Sequence, residues 1–319
     1  MAYRPQNHIP LTGVALLLFV CLIWGGNMVS IKLSNQGMPP MLAATVRSSL
    51  AAFFVWGFVR LQGGSVRLER QDLRHGLVIG ALFGLDFLFL YWGTSYTVAS
   101  RAVVHLYTHP FWVAIGAHFV LDDDRLTPSK LSGLLLAFAG LVAVFRSGTG
   151  TGLPPGYWLG DLLEVVAALF WGATTLYIKR VAARRPITHY QTLFAQLFYS
   201  IPVLAAGWLL LDWGRPVRLT ATVLAALGYQ CLAVATFSYI LWFWMIHTYP
   251  VSRLAAFTFL APIFGVLLGG LLMGDPLPFL LWLGVGCVAG GIYLVNLPGK
   301  DQGPATSPSS PGGERIQEE

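Results

Sequence analysis

The stretch that decides the fold is WGGNMVSIK at residues 24–32, because the chain repeats it as WGATTLYIK at residues 171–179. Both copies fit the pattern WG-x5-IK, and they lie 147 residues apart. Two further sets recur in the same order, at offsets of 152 and 151 residues. The first set is Trp92, Ser100, Arg101 and Pro110, repeated as Trp244, Ser252, Arg253 and Pro262; the second is Gly133 and Gly140, repeated as Gly284 and Gly291. Three ordered matches indicate a duplicated unit of about 150 residues.

The composition indicates a membrane protein. Of the 319 residues, 55% are hydrophobic and only 11% are charged, whereas a soluble domain has about 25% charged residues. The net charge of +6 does not indicate a nucleic-acid partner, because the basic residues cluster at the ends of apolar stretches. The three cysteines lie inside apolar stretches, without disulfide or metal spacing. We therefore expect an integral membrane protein surrounded by the lipid bilayer, with no metal site and no cofactor.

Ten stretches are long and apolar enough to cross a bilayer, since a spanning helix needs about 20 mostly apolar residues. They run approximately over residues 11–33, 40–62, 75–97, 99–121, 128–146, 158–182, 189–212, 221–246, 251–273 and 277–297. This predicts an all-α membrane protein with two five-helix repeats, at residues 11–146 and 158–297. The Gly- and Pro-rich segment 147–157 joins the repeats, and the polar segment 298–319 is expected to be a disordered tail.

Lysine and arginine are distributed unevenly between the two sides of the predicted membrane. If the N-terminus is cytoplasmic, 14 of them lie on the cytoplasmic side and 5 outside, and Arg47 lies within the second stretch. The positive-inside rule therefore places both termini in the cytoplasm. Because each repeat has an odd number of helices, the second repeat must be inverted relative to the first. Inverted repeats allow alternating access, in which the two repeats exchange conformations and the protein opens to the other side.

Several motifs, in order, match one known family. They are WG-x5-IK, Arg47 in the second stretch, Pro110 and Pro262, the acidic loops after the fourth and ninth stretches, and the glycines of the fifth and tenth stretches. With these motifs the chain resembles the EamA-type ten-helix branch of the drug/metabolite transporter superfamily, over residues 11–297. Two features depart from the family pattern. The acidic loop residues are Asp124 and Asp275 instead of Glu, and Phe194 stands in the seventh stretch where the second has Arg47.

The resemblance implies a secondary carrier of small metabolites, often an exporter of amino acids or related compounds, in a bacterial-type inner membrane. It also implies a central cavity lined by the first, third, fourth, sixth, eighth and ninth stretches. A membrane-embedded enzyme and a non-transporting scaffold are the alternatives, but neither needs an inverted duplication. The sequence has no phosphate-binding loop, nucleophile elbow or HExxH motif. Coupling would then come from an ion such as the proton, from an exchange partner or from the solute gradient, in a monomer or a homodimer.

The fourth stretch carries the most polar side chains. Arg101, His105, Thr108, His109 and Trp112 share one face of a continuous helix. His105 and His109 could exchange a proton near neutral pH or bond polar groups of a solute. The alternative is that they bond backbone or hydroxyl groups of neighbouring helices. A metal shared by the two histidines is disfavoured, because no Cys or carboxylate ligand accompanies them.

Asp86, Arg47 and Glu164 are ionisable residues away from the ends of other apolar stretches, where such groups tend to mark a functional pathway. Asp86, in the third stretch, lies at about the depth of His109, and these two residues are the candidates for proton coupling. The alternative is a protonated Asp86 that only bonds within the bundle. Arg47 and Glu164 both lie in the outer half of the membrane, and we expect them to form a structural ion pair. The alternative is that Arg47 binds a substrate carboxylate.

The remaining candidates combine aromatic rings, which suit an amphipathic organic solute, with amide and hydroxyl groups that would orient it. The predicted substrate-binding residues are Trp24, Asn27, Tyr91, His105, His109, Trp112, Trp171, Thr175, Tyr239, Trp242 and Phe257. Packing or an interfacial belt is the alternative for each aromatic. Pro110 and Pro262 remove a backbone hydrogen bond in equivalent helices, which suits a gate, a static bend being the alternative.

Overall fold

The computed structural model describes residues 9–122, 124–146, 153–274, 277 and 279–297. The tail predicted over residues 298–319, most of the predicted joint and Asp275 lie outside the described residues. All regular secondary structure in the described part is helical, and this part contains no β-strand. Eight helical segments of this part are long and apolar enough to cross a membrane, and Leu281–Asn296 is a shorter apolar helix. The chain is therefore an all-helical integral membrane protein.

The helices follow the predicted stretches closely. In chain order they are α1 (Leu11–Ser34), α2 (Pro40–Leu61), α3 (Leu73–Thr94), α4 (Ala99–Leu106), α5 (His109–Val120), α6 (Pro128–Phe145), α7 (Tyr157–Arg184), α8 (His189–Gly207), α9 (Ala221–Tyr229), α10 (Tyr239–Thr248), α11 (Val251–Phe257), α12 (Leu260–Met273) and α13 (Leu281–Asn296). A π-helical turn, Trp208–Asp212, continues α8, and a π-helical segment, Gln230–Ser238, joins α9 to α10.

The fourth and ninth stretches are each broken in the middle, where the sequence predicted continuous helices with a bend. α4 ends at Leu106 and α11 ends at Phe257, each a few residues before a proline. Pro110 and Pro262 then lie in the first turns of α5 and α12, where a missing N–H costs little. A proline ring also clashes with the carbonyl four residues earlier, which ends the preceding helix. Each stretch consequently consists of two half-helices that can point in different directions.

The two halves of the chain interleave instead of forming separate bundles. α1 packs along α12 and α9, whereas α7 packs along α3 and α5. α2 packs against α8, and α6 packs against α13. Consecutive long helices of one half contact each other only slightly. Each half therefore buries its apolar surface mainly against the other half, and the core lies between them.

Close contacts between equivalent helices show their relative direction. A Cβ atom on Gly133 of α6 would lie 2.5 Å from the carbonyl oxygen of Gly291 in α13, and one on Gly140 would lie 2.9 Å from that of Gly284. As the residue number rises along α6, it falls along α13. The helices are therefore antiparallel, and their backbones touch because glycine lacks a side chain.

Candidate functional site: the central cavity

The duplicated WG motifs meet at the centre of the molecule. The ring centroids of Trp24 and Trp171 lie 6.3 Å apart. A Cβ on Gly25 would lie 2.6 Å from Phe264 Cβ of α12, and one on Gly172 would lie 3.1 Å from Trp112 Cβ of α5. The glycines thus allow α1 and α7 to approach the half-helix after the break in the opposite half. This close approach brings the preceding tryptophans to one point.

A cavity of about 170 Å³ lies beside this pair of tryptophans, on a measure in which one water molecule needs about 10–15 Å³. Its walls come from α1, α2, α3, α4, α7, α8 and the segment from Gln230 to Thr248. Nine aromatic side chains contribute to these walls: Trp24, Phe83, Phe87, Tyr91, Tyr107, Trp171, Tyr239, Trp242 and Phe243. The cavity therefore has room for a small organic solute and walls suited to an apolar or aromatic group.

Two side chains of opposite charge face this cavity. Arg47 of α2 is 1% exposed, and its guanidinium lies 4.5 Å from the ring centroid of Phe87. Asp86 of α3 is 5% exposed and interacts electrostatically with Arg47. Within the described residues, Arg47 Nε, Arg47 Nη2 and Asp86 Oδ1 have no hydrogen-bond partner. The two nitrogens of Arg47 can thus donate a hydrogen bond to a solute, and the oxygen of Asp86 can accept one.

Most of the predicted substrate-binding residues reach the cavity. They are Trp24, Asn27, Tyr91, Trp171, Thr175, Tyr239 and Trp242. Asp86, predicted as a coupling residue, lines it too. Trp24 is held in place by a hydrogen bond from Nε1 to Ser238 Oγ at 2.9 Å, at the end of the π-helical segment.

The histidines of the fourth stretch do not line the cavity. His109 is buried behind Trp171, with the rings stacked at a centroid distance of 3.6 Å, and its Nε2 lies 3.2 Å from Thr258 Oγ1. His105 turns its Nδ1 toward the carbonyl oxygen of Arg101, at 2.8 Å. The break after Leu106 explains the difference, because the face predicted for a continuous helix is not kept across it.

Two other predicted residues belong to the surrounding core. Trp112 packs at Gly172 and donates from Nε1 to Thr108 Oγ1 at 3.3 Å. Phe257, the last residue of α11, is 4% exposed and accepts a hydrogen bond from Cys21 through its carbonyl oxygen. Neither lines the cavity.

The ion pair predicted between Arg47 and Glu164 is not formed in this structure. Neither carboxylate oxygen of Glu164 has a hydrogen-bond partner in the described part of the chain. A Cβ on Gly93 would lie 3.0 Å from Glu164 Oε1, so the carboxyl group packs against α3. Arg47 instead lies beside Asp86, on the cavity side. Similar depth in the membrane did not bring the two residues together, because their helices pack on different neighbours.

Some lining residues were missed by the sequence analysis. Phe83 and Phe87 occupy the same face of α3 as Asp86 and Tyr91, at helical spacings of three or four residues. That spacing around a buried carboxylate was a usable signal. Gln196, an amide in the interior of the seventh stretch, was another. Tyr107 gave no signal, because it lies at the break that the structure alone located.

One end of the molecule, which we name the latch end, is closed by contacts between the halves. Asp124 is fully buried; it accepts from Ser252 N at 2.8 Å and from Lys130 Nζ at 2.5 Å, and also from Ser252 Oγ. Lys179 of α7 donates from Nζ to the carbonyl oxygen of Tyr249 at 2.9 Å. These bonds join α6 and α7 to the start of α11.

The opposite end, which we name the mouth end, has a different polar cluster. Asp161 near the start of α7 accepts from Thr97 Oγ1 at 2.9 Å and from Arg101 Nε at 3.1 Å, with Nη2 of Arg101 as a further donor. His105 Nδ1 lies 3.6 Å from the same carboxylate. These contacts tie α7 to the α3–α4 connection, which it already packs against.

The EamA-like transporter family model matches residues 11–146 and 158–297, which together make up most of the chain. The protein belongs to the EamA-like transporter family. This membership makes it a membrane transporter of the drug/metabolite type, as the resemblance implied.

Two relatives illustrate the similarity of this EamA-like transporter to named proteins. The chain is 22% identical to the uncharacterized transporter YoaV of Bacillus subtilis (strain 168), over 87% of this chain and 94% of the relative. It is 27% identical to a probable amino-acid metabolite efflux pump of Escherichia coli (strain K12), over 88% and 93%. One solved crystal structure superposes with a TM-score of 0.75 at 20% identity, covering 89% of this chain and 96% of the other, which shows the fold alone.

Proposed function

We propose that this protein is a secondary transporter that exports an amino-acid-like amphipathic metabolite across a bacterial inner membrane by alternating access. The observation that carries the proposal is that Arg47 and Asp86, which have opposite charges, line one cavity together with nine aromatic residues. A guanidinium binds a carboxylate, a carboxylate binds an ammonium group, and the rings accommodate an apolar side chain. The relative in Escherichia coli, named as an amino-acid metabolite efflux pump, supports the same substrate class.

The proposal includes ten membrane crossings in two inverted units, residues 11–146 and 158–297. The antiparallel contact of α6 with α13 supports inversion, since these helices are equivalent in the two units. α2 and α8 are also equivalent, and they run antiparallel too. Gly207 approaches Met41, whereas Tyr190, earlier in α8, contacts Phe58, later in α2. From the excess of Lys and Arg we propose that both termini and the latch end face the cytoplasm.

A difference between the two ends supports the proposal of alternating access. At the latch end, α5 packs on α11 and α7 packs on α10. Among the described residues, the pairs equivalent to these, α4 with α12 and α1 with α3, make no comparable contact. We interpret the structure as the form closed to the cytoplasm. In the other form the repeats exchange roles, so that Lys32 binds the Thr97 carbonyl as Lys179 now binds that of Tyr249, with Pro110 and Pro262 at the bending points.

Protons are the proposed coupling ion. Asp86 lines the cavity, so a substrate ammonium group and a proton could compete for its carboxylate. His109 remains a proposed coupling residue because its Nδ1 has no hydrogen-bond partner among the described residues. Its contact with Trp171 would transmit a change of its charge to the cavity wall.

Three indole compounds test the substrate class in proteoliposomes. Tryptophan carries both charged groups, tryptamine only the ammonium, and indolepropionate only the carboxylate. Arg47→Gln should raise the half-saturating concentration of tryptophan and indolepropionate by about 10- to 100-fold, because a bond to a charged group contributes about 1.5–3 kcal/mol. Tryptamine should be unaffected. Asp86→Asn should affect tryptophan and tryptamine and spare indolepropionate.

Arg60→Gln is the matched control, since Arg60 is exposed at the end of α2. Equal responses to all three compounds in both cavity variants would contradict the proposed substrate class. Product formation without net movement across the bilayer would favour the enzyme alternative. Binding without flux or counterflow would favour the non-transporting scaffold.

A further inference from the structure

Glu164 is a buried carboxyl group that the cavity does not use. It lies in α7, it is 0% exposed, and it is absent from the cavity walls. Neither of its oxygens has a hydrogen-bond partner in the part of the chain that the structure describes. Its carboxyl group is pressed against Gly93 of α3, where a Cβ would lie 3.0 Å from Oε1. Removing an ionised carboxylate from water without a compensating partner costs several kcal/mol.

The charged groups around Glu164 do not supply a counter-ion. The charges that act on it are those of Asp86 from α3 and Asp161 one turn earlier in α7, and both are carboxylates. The nearby cations are engaged with those carboxylates, Arg101 with Asp161 and Arg47 beside Asp86. The other helices packed on α7 contribute the following titratable or charged residues: Arg101 and His105 from α4, His109 and His118 from α5, Tyr239 and His247 from α10, and Arg253 from α11.

We propose that Glu164 is a proton-binding site of this transporter, occupied in the form closed at the latch end and emptied during the transport cycle. This inference rests on the proposed function. A protonated carboxyl group is neutral and can stay in the apolar contact between α3 and α7. An ionised one is repelled by Asp86 and Asp161, so loss of the proton to water favours separation of the two helices or entry of water between them.

The structure also gives a route for the proton. Asp161 lies three residues before Glu164 and therefore on the same face of α7. Its side chain is 11% exposed at the mouth end, whereas Glu164 is sealed. α3 and α7 are unusually close between these residues, because a Cβ on Gly160 would lie 2.8 Å from the Gly93 carbonyl oxygen. A proton entering at the mouth end thus has one helical turn to travel, along a contact that must loosen to admit it.

The first measurement does not depend on transport. Infrared difference spectra of the purified full-length protein between acidic and alkaline solution should contain the carbonyl band of a protonated buried carboxyl group. Glu164→Gln should remove the part of that band that belongs to Glu164 and leave any part that belongs to Asp86, whereas Asp122→Asn, at an exposed loop position, should leave the whole band unchanged. A band that persists unchanged in Glu164→Gln overturns the proposal. Glu164→Met, which keeps the volume without an amide, replaces the Gln variant if the latter does not fold.

The second measurement concerns coupling. In proteoliposomes, uptake driven by a pH gradient should be at least about tenfold slower in Glu164→Gln than in the parent protein. Tryptophan exchange should stay within about twofold of the parent rate. Loss of exchange together with pH-driven uptake, in a variant of unchanged Tm, overturns the coupling role, as does unchanged pH-driven uptake. If the parent moves no solute but shows the Glu164 band, the proposed function fails and the proton-binding site stands.

Discussion

The two WG-x5-IK motifs are equivalent in sequence and differ in their surroundings. Lys179, at the end of the second motif, is 1% exposed and binds the Tyr249 carbonyl. Lys32, at the end of the first, is exposed. Gly25 and Gly172 make the same contact with the opposite half, but the approach at Gly25 is closer. The same sequence motif therefore ends in a buried lysine at the latch end in one half and in an exposed lysine in the other half.

This difference separates two roles of the duplication. Contacts that occur in both halves, such as the glycine contacts of α1 and α7, hold the architecture and should persist through the transport cycle. The contacts of Lys179 and Asp124 at the latch end, under the proposed alternating access, belong to one conformation. Under the proposed alternating access, the one-sided contacts are the ones that exchange between the halves. Substitutions at equivalent positions should accordingly have unequal effects.

The largest effect is expected for Asp124→Ala. This change removes three hydrogen bonds at a fully buried carboxylate and leaves the charge of Lys130 without its carboxylate partner, which costs about 3–5 kcal/mol for a buried pair. The latch end should open, so that Thr175→Cys in the cavity becomes reactive from the cytoplasmic side. Thiol labelling measures this, in a background without Cys21, Cys231 and Cys287. Asp161→Ala at the mouth end should not increase that labelling; an equal increase would remove the distinction between the two ends.

A smaller effect is expected for Lys179→Met. The lost hydrogen bond to the Tyr249 carbonyl contributes about 1.5–3 kcal/mol, which changes the opening equilibrium by about 10- to 100-fold. The same Thr175→Cys labelling from the cytoplasmic side measures it. The equivalent Lys32→Met should not increase that labelling, because Lys32 is exposed in this form and the bond proposed for it, to the Thr97 carbonyl, belongs to the open form. Matching responses of the two variants would contradict the asymmetric interpretation.

The smallest difference is expected between Gly25→Ala and Gly172→Ala. The new Cβ at position 25 would lie within 2.8 Å of the Gly265 backbone nitrogen, so α1 and α12 must separate, at about 1–3 kcal/mol. At position 172 the nearest atom is 3.1 Å away, and a small shift of Trp112 suffices, at about 1 kcal/mol or less. Thermal unfolding in detergent should give the lower Tm for Gly25→Ala. The reverse order would mean that α7, not α1, sits in the tighter contact.

Much of the fold could be predicted because bilayer thickness restricts where helices start and end. The apolar stretches anticipated α1, α2 and α6 to within a few residues. The prolines predicted a bend in the fourth and ninth stretches, and in the structure each of these stretches is broken into two helices. The π-helical segment between α9 and α10 had no signal, because a π-helix differs from an α-helix in hydrogen bonding and not in hydrophobic pattern.

The candidate site was predicted less completely, because the sequence does not say in which direction each side chain points from its helix. Trp24 and Trp171 reached the cavity as predicted, because each precedes a glycine that sets the depth of packing. His105 and His109 did not, because a break in the helix cancels the periodicity from which their common face was inferred. Glu164 was paired with Arg47 by depth alone, and depth does not say which side of a helix meets which neighbour.

The sequence by itself determined the membrane location, the order of the apolar stretches and the duplication, since these depend on composition and on spacing along the chain. The tertiary structure alone decided that Asp86 and Arg47 line the same cavity, that Glu164 is sealed against Gly93, and that Lys179 is buried while Lys32 is exposed. The physical reason is that helix rotation and tilt result from close packing between residues far apart in sequence. Two copies of one motif can therefore satisfy the same local preferences and still occupy different environments.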